Sequence, residues 1–524
     1  MSEPTVLSEP LGGSALSKAA RAGALPQWFV PVPHSRDGWT QYAASVMSSV
    51  SARWFDDVEP AIAPTGRAAE RLKKSAGGKG LVITTGQQPG LFGGPLMTLA
   101  KALSARALAD VLQETLSIPV APLFWAATDD ADFDEAARVS VALDGGAREL
   151  MLEQRAPSGT PMSRVPIGAE IERFAALMRD ACGTAPHPAY LERALACYRD
   201  GVMVGDAYVA LLRDVLEPFE IAVFDVSHPS VASAAAPLMR RTAERADVVA
   251  AAVKRRSEEI VAAGYKAQVD EVPGLSLVFV NERGTKRRLT QEEAKAFAPS
   301  GDAWLSSTVL LRPVLECGLL PTAAYVGGPG EVAYFAQVTA VADAIDVRRP
   351  LVVPRWSTTI VEPRIQRLLA KLDVSVAELA DPHAVETRLA RTRLASEIEA
   401  ALNALRGDLA SNIDALKRAN DGVVADQVVE GVRRNIVHRI ERLERRVVAG
   451  AKRREVDLMR DVSTARGALY PHGSRQERKL GWVPFLARNG PALVEAMIDA
   501  ARVHARSLVE APALSSRPPA ARAR

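Results

Sequence analysis

The sequence predicts an α/β fold built on a parallel sheet, followed by a long antiparallel helical hairpin. Short apolar runs alternate with helical stretches through the first 380 residues, as is typical of strands that are buried between helices. Two of these runs end in glycine-rich loops that lead into helices. Residues 383–468 contain almost no proline or aromatic residues and show heptad-like apolar spacing. At 524 residues the chain is too long for one hydrophobic core, so we expect several domains.

The overall charge argues against a nucleic-acid or membrane partner. The 65 basic and 62 acidic residues leave a net charge of only +3. The cysteines, Cys182, Cys197 and Cys317, lie far apart and match no metal or redox spacing, which favours reduced thiols. We see no signal peptide and no apolar run long enough for a membrane helix, so a soluble, cytoplasmic protein is expected.

Residues 1–75 are predicted to be helical, with aromatic side chains as packing anchors. These are Trp28, Phe29, Trp39, Trp54 and Phe55. Residues 76–380 are predicted to form the α/β core. Its strands are expected at 81–85, 119–126, 221–226, 323–327 and 350–355, with a helix at 95–116. Residues 275–290 interrupt the alternation, and we interpret them as a β-hairpin within an insertion.

Residues 381–468 are predicted to form a coiled-coil hairpin with a turn at 420–422. The apolar positions are Ile398, Leu402, Leu405, Leu409 and Leu416 on one arm, with Asn412 at a skipped position, and Val429, Val432, Ile436, Ile440, Leu443 and Val447 on the other. A stripe on both arms suggests a homodimer; the alternative is an arm that packs only on its own partner. Residues 469–510 are expected to pack back on the core, and residues 511–524 to be a disordered tail.

The first glycine-rich loop lies in "LVITTGQQPGLFGGPLMTLAKAL", residues 81–103. Gly86, Gly90, Gly93 and Gly94 follow a strand and precede a helix that starts near Pro95. The free N–H groups of such a helix end favour an anion, although the spacing is neither G-x-G-x-x-G nor Walker A. A tight turn without a ligand is the alternative. The paired amides Gln87 and Gln88 favour a polar substrate.

The next predicted strand ends in an acidic stretch, "FWAATDDADFDE". Its carboxylates are Asp129, Asp130, Asp132, Asp134 and Glu135. Open α/β sheets bind ligands at the carboxyl ends of their strands, where such groups bind an amine, a sugar hydroxyl or a metal, or act as a general base. The alternative is a capped, solvated helix start. Because no histidine accompanies the carboxylates, we predict no metal site.

The second glycine-rich loop repeats the same layout at Gly327-Gly328-Pro329-Gly330, with Glu331 opening the next helix. Two such loops suggest a site between them, where Arg312 supplies a fixed cation for a carboxylate or phosphate. A structural ion pair is the alternative for Arg312. We interpret Cys317 as a buried thiol, and we do not assign His228 or His472 as a catalytic base.

Five stretches together resemble a known family. They are "TTGQQPGLFGGPLMTLAKALSA", "PLFWAATDDADF", "GYKAQV", "VLLRPVLECGLLPTAAYVGGPGEVAYFAQ" and "LYPHGSRQERKLGWVPFLARNG". In order and spacing they resemble the bacillithiol biosynthesis cysteine-adding enzymes, the BshC family, from about residue 20 to 510. The resemblance implies a Rossmann-like core related to nucleotidylyltransferases and class I aminoacyl-tRNA synthetases, with connecting insertions and a dimerising coiled coil. It also implies a ligase that joins cysteine to the glucosamine amine of glucosaminyl-malate, the last step to bacillithiol, and an adenine nucleotide, ATP or ADP, in a separate pocket.

The resemblance also implies a set of site residues. On one wall of the active cleft they are Gly86, Gln87, Gln88 and Gly90, with Lys101 behind; on the other they are Arg312, Tyr325, Gly327, Gly328, Glu331 and Tyr334. The acidic stretch departs from the family pattern, because Ala131 and Arg138 stand where histidines are expected. No role of those imidazoles can be transferred, and a paralogue with another substrate is an open alternative.

The resulting hypothesis is an amide-forming ligase. Asp130 or Asp132 would hold or deprotonate an amine, Arg312 would hold a carboxylate, and the glycine loops would donate backbone N–H groups to anions. The sequence lacks the His-x-Gly-His stretch and the Lys-rich second loop of related adenylate-forming folds, so an ATP-dependent step, with or without Mg²⁺, stays open. The alternatives are a nucleotide-dependent aminoacyl or adenylyl transferase with another acceptor, and a non-catalytic coiled-coil scaffold.

Overall fold

The protein divides into two compact units. The computed structural model describes residues 3–77, 80–298, 303–381 and 383–510. We call residues 3–141, 149–360 and 477–510 the sheet unit, and residues 142–148 and 361–476 the arm unit. The predicted disordered tail, 511–524, lies outside the described residues. No helix of the described residues combines the length and apolar character that crossing a membrane requires.

The elements alternate as the sequence pattern predicts. Strands within the described residues are β1 (Thr5–Ser8), β2 (Leu81–Gln87), β3 (Val120–Ala126), β4 (Arg138–Leu143), β5 (Gly146–Met151), β6 (Ala222–Asp225), β7 (Leu275–Glu282), β8 (Thr285–Thr290), β9 (Trp304–Ser307), β10 (Thr322–Gly327), β11 (Val352–Pro354) and β12 (Thr358–Val361). The first five described helices, of which the last follows the first glycine-rich loop, are α1 (Ala15–Arg21), α2 (Arg36–Ser48), α3 (Trp54–Ile62), α4 (Gly66–Ala76) and α5 (Leu96–Leu116). Further helices are α6 (Phe133–Ala136), α7 (Ile171–Cys182), α8 (Ala189–Cys197), α9 (Val204–Leu216), α10 (Pro229–Glu244), α11 (Ala246–Ala262), α12 (Gln291–Lys295), α13 (Arg312–Leu319) and α14 (Pro329–Ala344). The remaining ones are α15 (Pro363–Leu372), α16 (Ala384–Arg391), α17 (Ser396–Ala419), α18 (Asp426–Arg454), α19 (Val456–Leu469), α20 (Gln476–Lys479) and α21 (Val483–Val509).

The sheet unit is built on a five-stranded parallel sheet of order β11-β10-β2-β3-β6, which confirms the predicted fold class. Every residue of β3 is buried, and β2 is buried up to its last residue, which explains why both read as continuous apolar runs. The chain proceeds from β2 to β3 and β6 on one side, and later adds β10 and β11 on the other. The strand order therefore reverses between β2 and β10, where open α/β sheets bind their ligands.

The helices α5 and α14, which follow β2 and β10, are largely buried. Helix α21 packs on α5 within the same unit. The N-terminal residues are mainly helical, and Trp39 and Trp54 are buried there. They also contain β1, a short strand that the sequence analysis missed; its Leu7 carbonyl accepts a hydrogen bond of 3.0 Å from Thr358 Oγ1. The partner residues are 351 positions apart, so no local pattern predicts this pairing.

The predicted hairpin at 275–290 is confirmed as the antiparallel pair β7 and β8. A third strand, β9, pairs with β7 on its other edge. The sequence analysis missed β9 because it has only four residues and half of them are serine. We call this three-stranded antiparallel sheet the inserted sheet.

The arm unit contains the predicted helical hairpin, formed by α17 and α18. Leu402 and Ile413 on the first arm and Val429, Ile440 and Val448 on the second are buried. The buried interface between the two arms includes Ile413, which lies four residues after Leu409. The apolar spacing therefore continues at Ile413 and no position is skipped at Asn412. Other stripe residues stay exposed: Ile398, Leu405, Leu416, Val432, Ile436 and Leu443.

Backbone groups of the loop between β2 and α5 form hydrogen bonds with other parts of the protein. Trp482 Nε1 donates a hydrogen bond of 2.9 Å to the Gly93 carbonyl, and Tyr198 donates one of 2.6 Å to the Gly90 carbonyl. At the start of α5, Leu96 N donates to Leu480 O at 2.7 Å, and Thr98 N donates to Pro95 O at 2.8 Å. These N–H groups, which we expected to face an anion, are thus used inside the fold. Around Gly90–Gly94 the structure supports the tight-turn alternative.

Gly93 is predicted to tolerate no side chain. Its φ is +82°, and a Cβ there would lie 2.3 Å from the indole ring of Trp482. Gly93→Ala should therefore cost about 1–2 kcal/mol for the backbone conformation and about 1–3 kcal/mol more for overpacking. Gly274→Ala is the matched control, because Gly274 has a φ of +80° and no neighbouring atom within 4 Å.

The measurement is urea unfolding followed by tryptophan fluorescence. All seven tryptophans lie in the sheet unit, so the signal reports this unit alone. Equal destabilisation by the two substitutions would contradict the packing role of Trp482.

Candidate active site

A cavity of about 780 Å³ opens at the carboxyl ends of β2, β3 and β10. Gly86 and Gln87 come from the end of β2, Asp129 follows β3, and Gly328 follows β10. The inserted sheet supplies a further wall through Phe279, Lys286 and Arg288. The cavity thus lies beside the reversal of strand order, as expected for an open α/β sheet.

A largely buried charge network lines the floor of the cavity and joins α5 to α14. Lys101 Nζ, whose side chain is 4% exposed, lies 2.6 Å from Glu331 Oε2 and donates to the Gly86 carbonyl. Glu331 also accepts hydrogen bonds from Gly328 N and the Tyr325 hydroxyl. Burial lowers the pKa of Lys101, although the Glu331 charge opposes that shift. Burial would raise the pKa of Glu331, but the nearby positive charges outweigh it and hold the pKa below its ordinary value.

Arg312 belongs to the same network. Its Nη1 donates to Glu316 at 3.2 Å, and its Nη2 donates to the hydroxyls of Tyr325 and Tyr334 at 3.1 Å each. The guanidinium also lies over the Tyr325 ring, 4.8 Å from its centroid. Arg312 therefore lines the cavity, but both of its Nη atoms are engaged within the protein.

Among the described residues, six cationic side chains line the cavity, and four of them are paired with a carboxylate. Besides Lys101 and Arg312, Lys286 lies 3.0 Å from Asp129. Arg355 makes a bidentate pair with Glu477, with both distances at 2.7 Å. The other two, Arg288 and Arg478, form no ion pair with any described residue.

The acidic stretch forms a tight turn into α6 and also lines the cavity. Asp130 Oδ1 accepts from Asp132 N at 2.8 Å, and Asp132 Oδ1 accepts from Glu135 N at 3.2 Å. Asp132 therefore caps α6, and Asp130, Asp132 and Glu135 all contribute to the cavity lining. None of the three forms an ion pair with a residue in the described part of the chain.

Glu135 is connected to the buried network through Gln87. Lys101 Nζ donates to Gln87 Oε1 at 3.2 Å, and Gln87 Nε2 donates to Glu135 Oε1 at 3.0 Å. Removal from bulk water raises the pKa of Glu135, and the negative charges of Asp132 and Asp130 raise it further. A carboxylate with a raised pKa in a cleft suits a general base.

Most of the residues expected at the site meet in this cavity. Those lining it are Gly86, Gln87, Gln88, Lys101, Asp130, Asp132, Arg312, Tyr325, Gly328, Glu331 and Tyr334. Gly90 and Gly327 do not line it: Gly90 bonds to Tyr198, and a Cβ at Gly327 would lie 3.1 Å from that of Glu331. Their role is to allow close packing.

Sequence reasoning listed Glu135 among the candidate acids but assigned the base to Asp130 or Asp132. It missed Lys286, Arg288, Arg355 and Arg478. Lys286 and Arg288 alternate along a predicted strand, so the pattern could have indicated that they share a face. No local signal singles out Arg355 or Arg478. Cys317 is buried, and burial raises the pKa of its thiol to about 12, which fits the interpretation as an inert thiol.

His228 caps α10 by accepting a hydrogen bond from Ser230 N at 3.2 Å.

Among the residues that the structure describes, no three or more His, Cys, Asp or Glu side chains are grouped to hold a metal ion.

Two family models together match most of the chain from residue 59 to residue 507. The model for the N-terminal Rossmann-like domain of bacillithiol biosynthesis BshC matches residues 59–304 and 277–356, and that for its C-terminal coiled-coil domain matches residues 358–507. The chain belongs to the BshC family. A protein named "Putative cysteine ligase BshC" from Koribacter versatilis is 32% identical over 456 residues, which cover 82% of this chain and 83% of that protein.

BshC proteins from Solibacter usitatus and Salinibacter ruber carry the same name. They are 32% and 28% identical, over 80% of this chain in each case and 82% and 81% of their own lengths. With relatives of this name across most of its length, this BshC protein is an enzyme of the ligase class.

Glu316 is predicted to make the stability of the sheet unit depend on pH. Its side chain is 1% exposed, accepts from Thr84 and Arg312, and has a pKa raised by burial from 4.5 to about 7. The unfolded chain therefore releases this proton first as the pH rises. The stability linked to the neutral acid is complete below about pH 4.5 and is lost as the pH rises through about 7.

Glu316→Gln keeps the shape of the neutral acid and should remove this dependence. We compare the free energy of unfolding of the variant with that of the unsubstituted protein. This difference should shift in favour of the variant by up to about 3 kcal/mol as the pH rises from 4.5 to 8. Urea unfolding followed by tryptophan fluorescence at both pH values measures it. The exposed Glu172→Gln is the control, and a gain of the same size there would contradict the assignment.

Proposed function

We propose that this chain joins the carboxyl group of L-cysteine to the glucosamine amine of glucosaminyl-malate, which gives bacillithiol. The observation that carries the proposal is that one cavity is lined by both carboxylates and guanidiniums that have no ion-pair partner among the described residues. Three carboxylates, Asp130, Asp132 and Glu135, and two guanidiniums, Arg288 and Arg478, line it without an ion-pair partner among the described residues. Cysteine carries an amine and one carboxylate, and glucosaminyl-malate an amine and two carboxylates, so both complement this arrangement. The names of the BshC relatives support cysteine as one substrate.

The carboxylates are suited to the amine. An amino sugar binds as an ammonium. We propose that Asp130 and Asp132 bind this ammonium and that Glu135 deprotonates it. The raised pKa of Glu135 supports this division, because a base must accept a proton near neutral pH. Gln87 holds the Glu135 carboxylate in place, and Lys101 holds Gln87.

Cysteine must be activated, because amide formation from a free carboxylate is uphill in water. We include ATP, because transfer of its adenylyl or phosphoryl group to the cysteine carboxylate would let AMP or phosphate leave when the amine forms the amide. Arg478, an exposed guanidinium at the cavity with no carboxylate partner among the described residues, suits the phosphate charge.

The test is mass spectrometry of the purified protein incubated with cysteine and glucosaminyl-malate, with and without ATP and Mg²⁺. Bacillithiol formed only with ATP supports the full proposal. Bacillithiol formed without ATP removes the nucleotide from it. Pyrophosphate release without bacillithiol would overturn the proposal in favour of a transferase with another acceptor, and no binding of any of these molecules would favour a non-catalytic scaffold.

Glu135→Gln is expected to lower kcat by about 10²- to 10⁴-fold, because the general base is lost while the shape of the side chain is kept. Asp134→Asn is the matched control. It removes the same charge from the neighbouring position, but Asp134 is 87% exposed and does not line the cavity. Steady-state bacillithiol formation gives both values, and similar losses in the two variants would argue against Glu135 as the base.

The arm unit is proposed to form a homodimer. Its six exposed stripe residues are large and apolar, and they lie on both α17 and α18, so a second copy would bury a continuous seam. Arg406 pairs with Glu444, which places the neighbouring Leu405 and Leu443 at the same level of the hairpin.

The double variant Leu405→Glu with Leu443→Glu should be monomeric at concentrations where the parent protein is a dimer, because four charges would enter the seam. Sedimentation velocity measures the mass. Val456→Glu, on α19 and 63% exposed, places the same charge outside the stripe and should leave the dimer intact. A double variant that sediments like its parent would rule out this seam.

A further inference from the structure

Arg288, like the exposed Arg478, differs from the four paired cations that line the cavity. Lys101, Lys286, Arg312 and Arg355 each have a carboxylate within 3.2 Å. Arg288 donates through Nε to the Ser276 carbonyl at 2.6 Å and has no carboxylate partner among the described residues. It is half-buried, so its charge is partly desolvated. A partly buried guanidinium without a counterion is a favourable place for an anionic ligand.

The inserted sheet directs Arg288 into the cavity. Side chains alternate between the faces of a strand, so Lys286 and Arg288 share one face of β8 and Arg287 lies on the other. Lys286 Nζ donates to both the carbonyl and Oδ2 of Asp129, at 2.9 and 3.0 Å, which fixes this face against the end of β3. Arg287 instead pairs with Glu293 and is 59% exposed.

A second unsatisfied polar group lies on the same wall. Thr308, directly after β9, is 8% exposed, lines the cavity, and its Oγ1 makes no hydrogen bond with a described residue. Arg288 and Ser306 both pair with Phe279, from opposite sides of β7. Arg288 and the end of β9 are thus about 10 Å apart across one face of the inserted sheet. An unsatisfied buried hydroxyl destabilises the protein, and a hydrogen bond to a ligand oxygen would remove that cost.

We propose that Arg288 and Thr308 form the subsite for the malate carboxylates of the amino-sugar substrate. The subsite rests on the proposed function for the identity of that substrate. Cysteine's carboxylate loses its charge when the amide forms, whereas both malate carboxylates stay charged from substrate to product. A fixed guanidinium therefore suits malate. The amine, at the other end of the substrate, faces the unpaired carboxylates after β3.

The test is calorimetric titration of the full chain with two probes, glucosaminyl-malate and methyl glucosaminide, which lacks malate. Arg288→Gln should weaken glucosaminyl-malate binding by roughly 10- to 100-fold, the loss of one charged hydrogen-bonding contact, and leave methyl glucosaminide unchanged. Thr308→Val should weaken the same probe alone, by a smaller factor. Arg287→Gln is the matched control on the opposite face and should bind both probes as the parent does.

Unchanged binding of glucosaminyl-malate by Arg288→Gln would overturn the subsite. Equal weakening of both probes, or a larger loss in Arg478→Gln than in Arg288→Gln, would also overturn it. Failure of the ligase proposal is a separate result, because it is read from bacillithiol formation. A chain that binds glucosaminyl-malate through Arg288 but forms no bacillithiol would keep the subsite and lose the ligase reaction.

Discussion

The ion pair between Lys101 and Glu331 is the contact on which the site depends. It joins the helices that follow β2 and β10, on the two sides of the reversal in strand order. Through Gly86, Gln87, Gly328 and Tyr325 it also holds both strand ends. Burying two charges is costly, and breaking such a pair would leave one of them uncompensated. Both glycine loops therefore face one cavity in a fixed relation.

The charged groups of the cavity fall into two classes, those that pair with another protein group and those that are available to a substrate. Carboxylates that pair with the lining cations are buried with them, as for Glu316 and Glu477. Asp130, Asp132 and Glu135 have no such partner within the described residues, and neither do the guanidiniums of Arg288 and Arg478. Alanine at position 131, where the family resemblance led us to expect a histidine, leaves an acidic site, because Glu135 lies on the same wall and is held by Gln87.

Periodicity and turn chemistry were sufficient to predict the parallel strands, the helix after each glycine loop, the hairpin of the inserted sheet and the two arms. These features depend on neighbours within a few residues. The Trp482 contact with Gly93 and the Arg355 pair with Glu477 join residues 389 and 122 positions apart, and no local pattern encodes them. For that reason the glycines of the first loop resembled an anion site, whereas most of them allow close packing. The motif residues predicted the place of the cavity, but not which of its charges are already neutralised.

The attachment of the inserted sheet through Lys286 and Asp129 also bears on how this fold can diversify. The parallel sheet carries the acids proposed to act on the amine, and a separate, contiguous segment carries the wall proposed for the malate end. Mutations within that segment can change which acceptor is taken without disturbing the strands that support the chemistry. An ancestral enzyme of this architecture could thus acquire a new acceptor by exchanging this one segment, provided that the lysine anchor is retained.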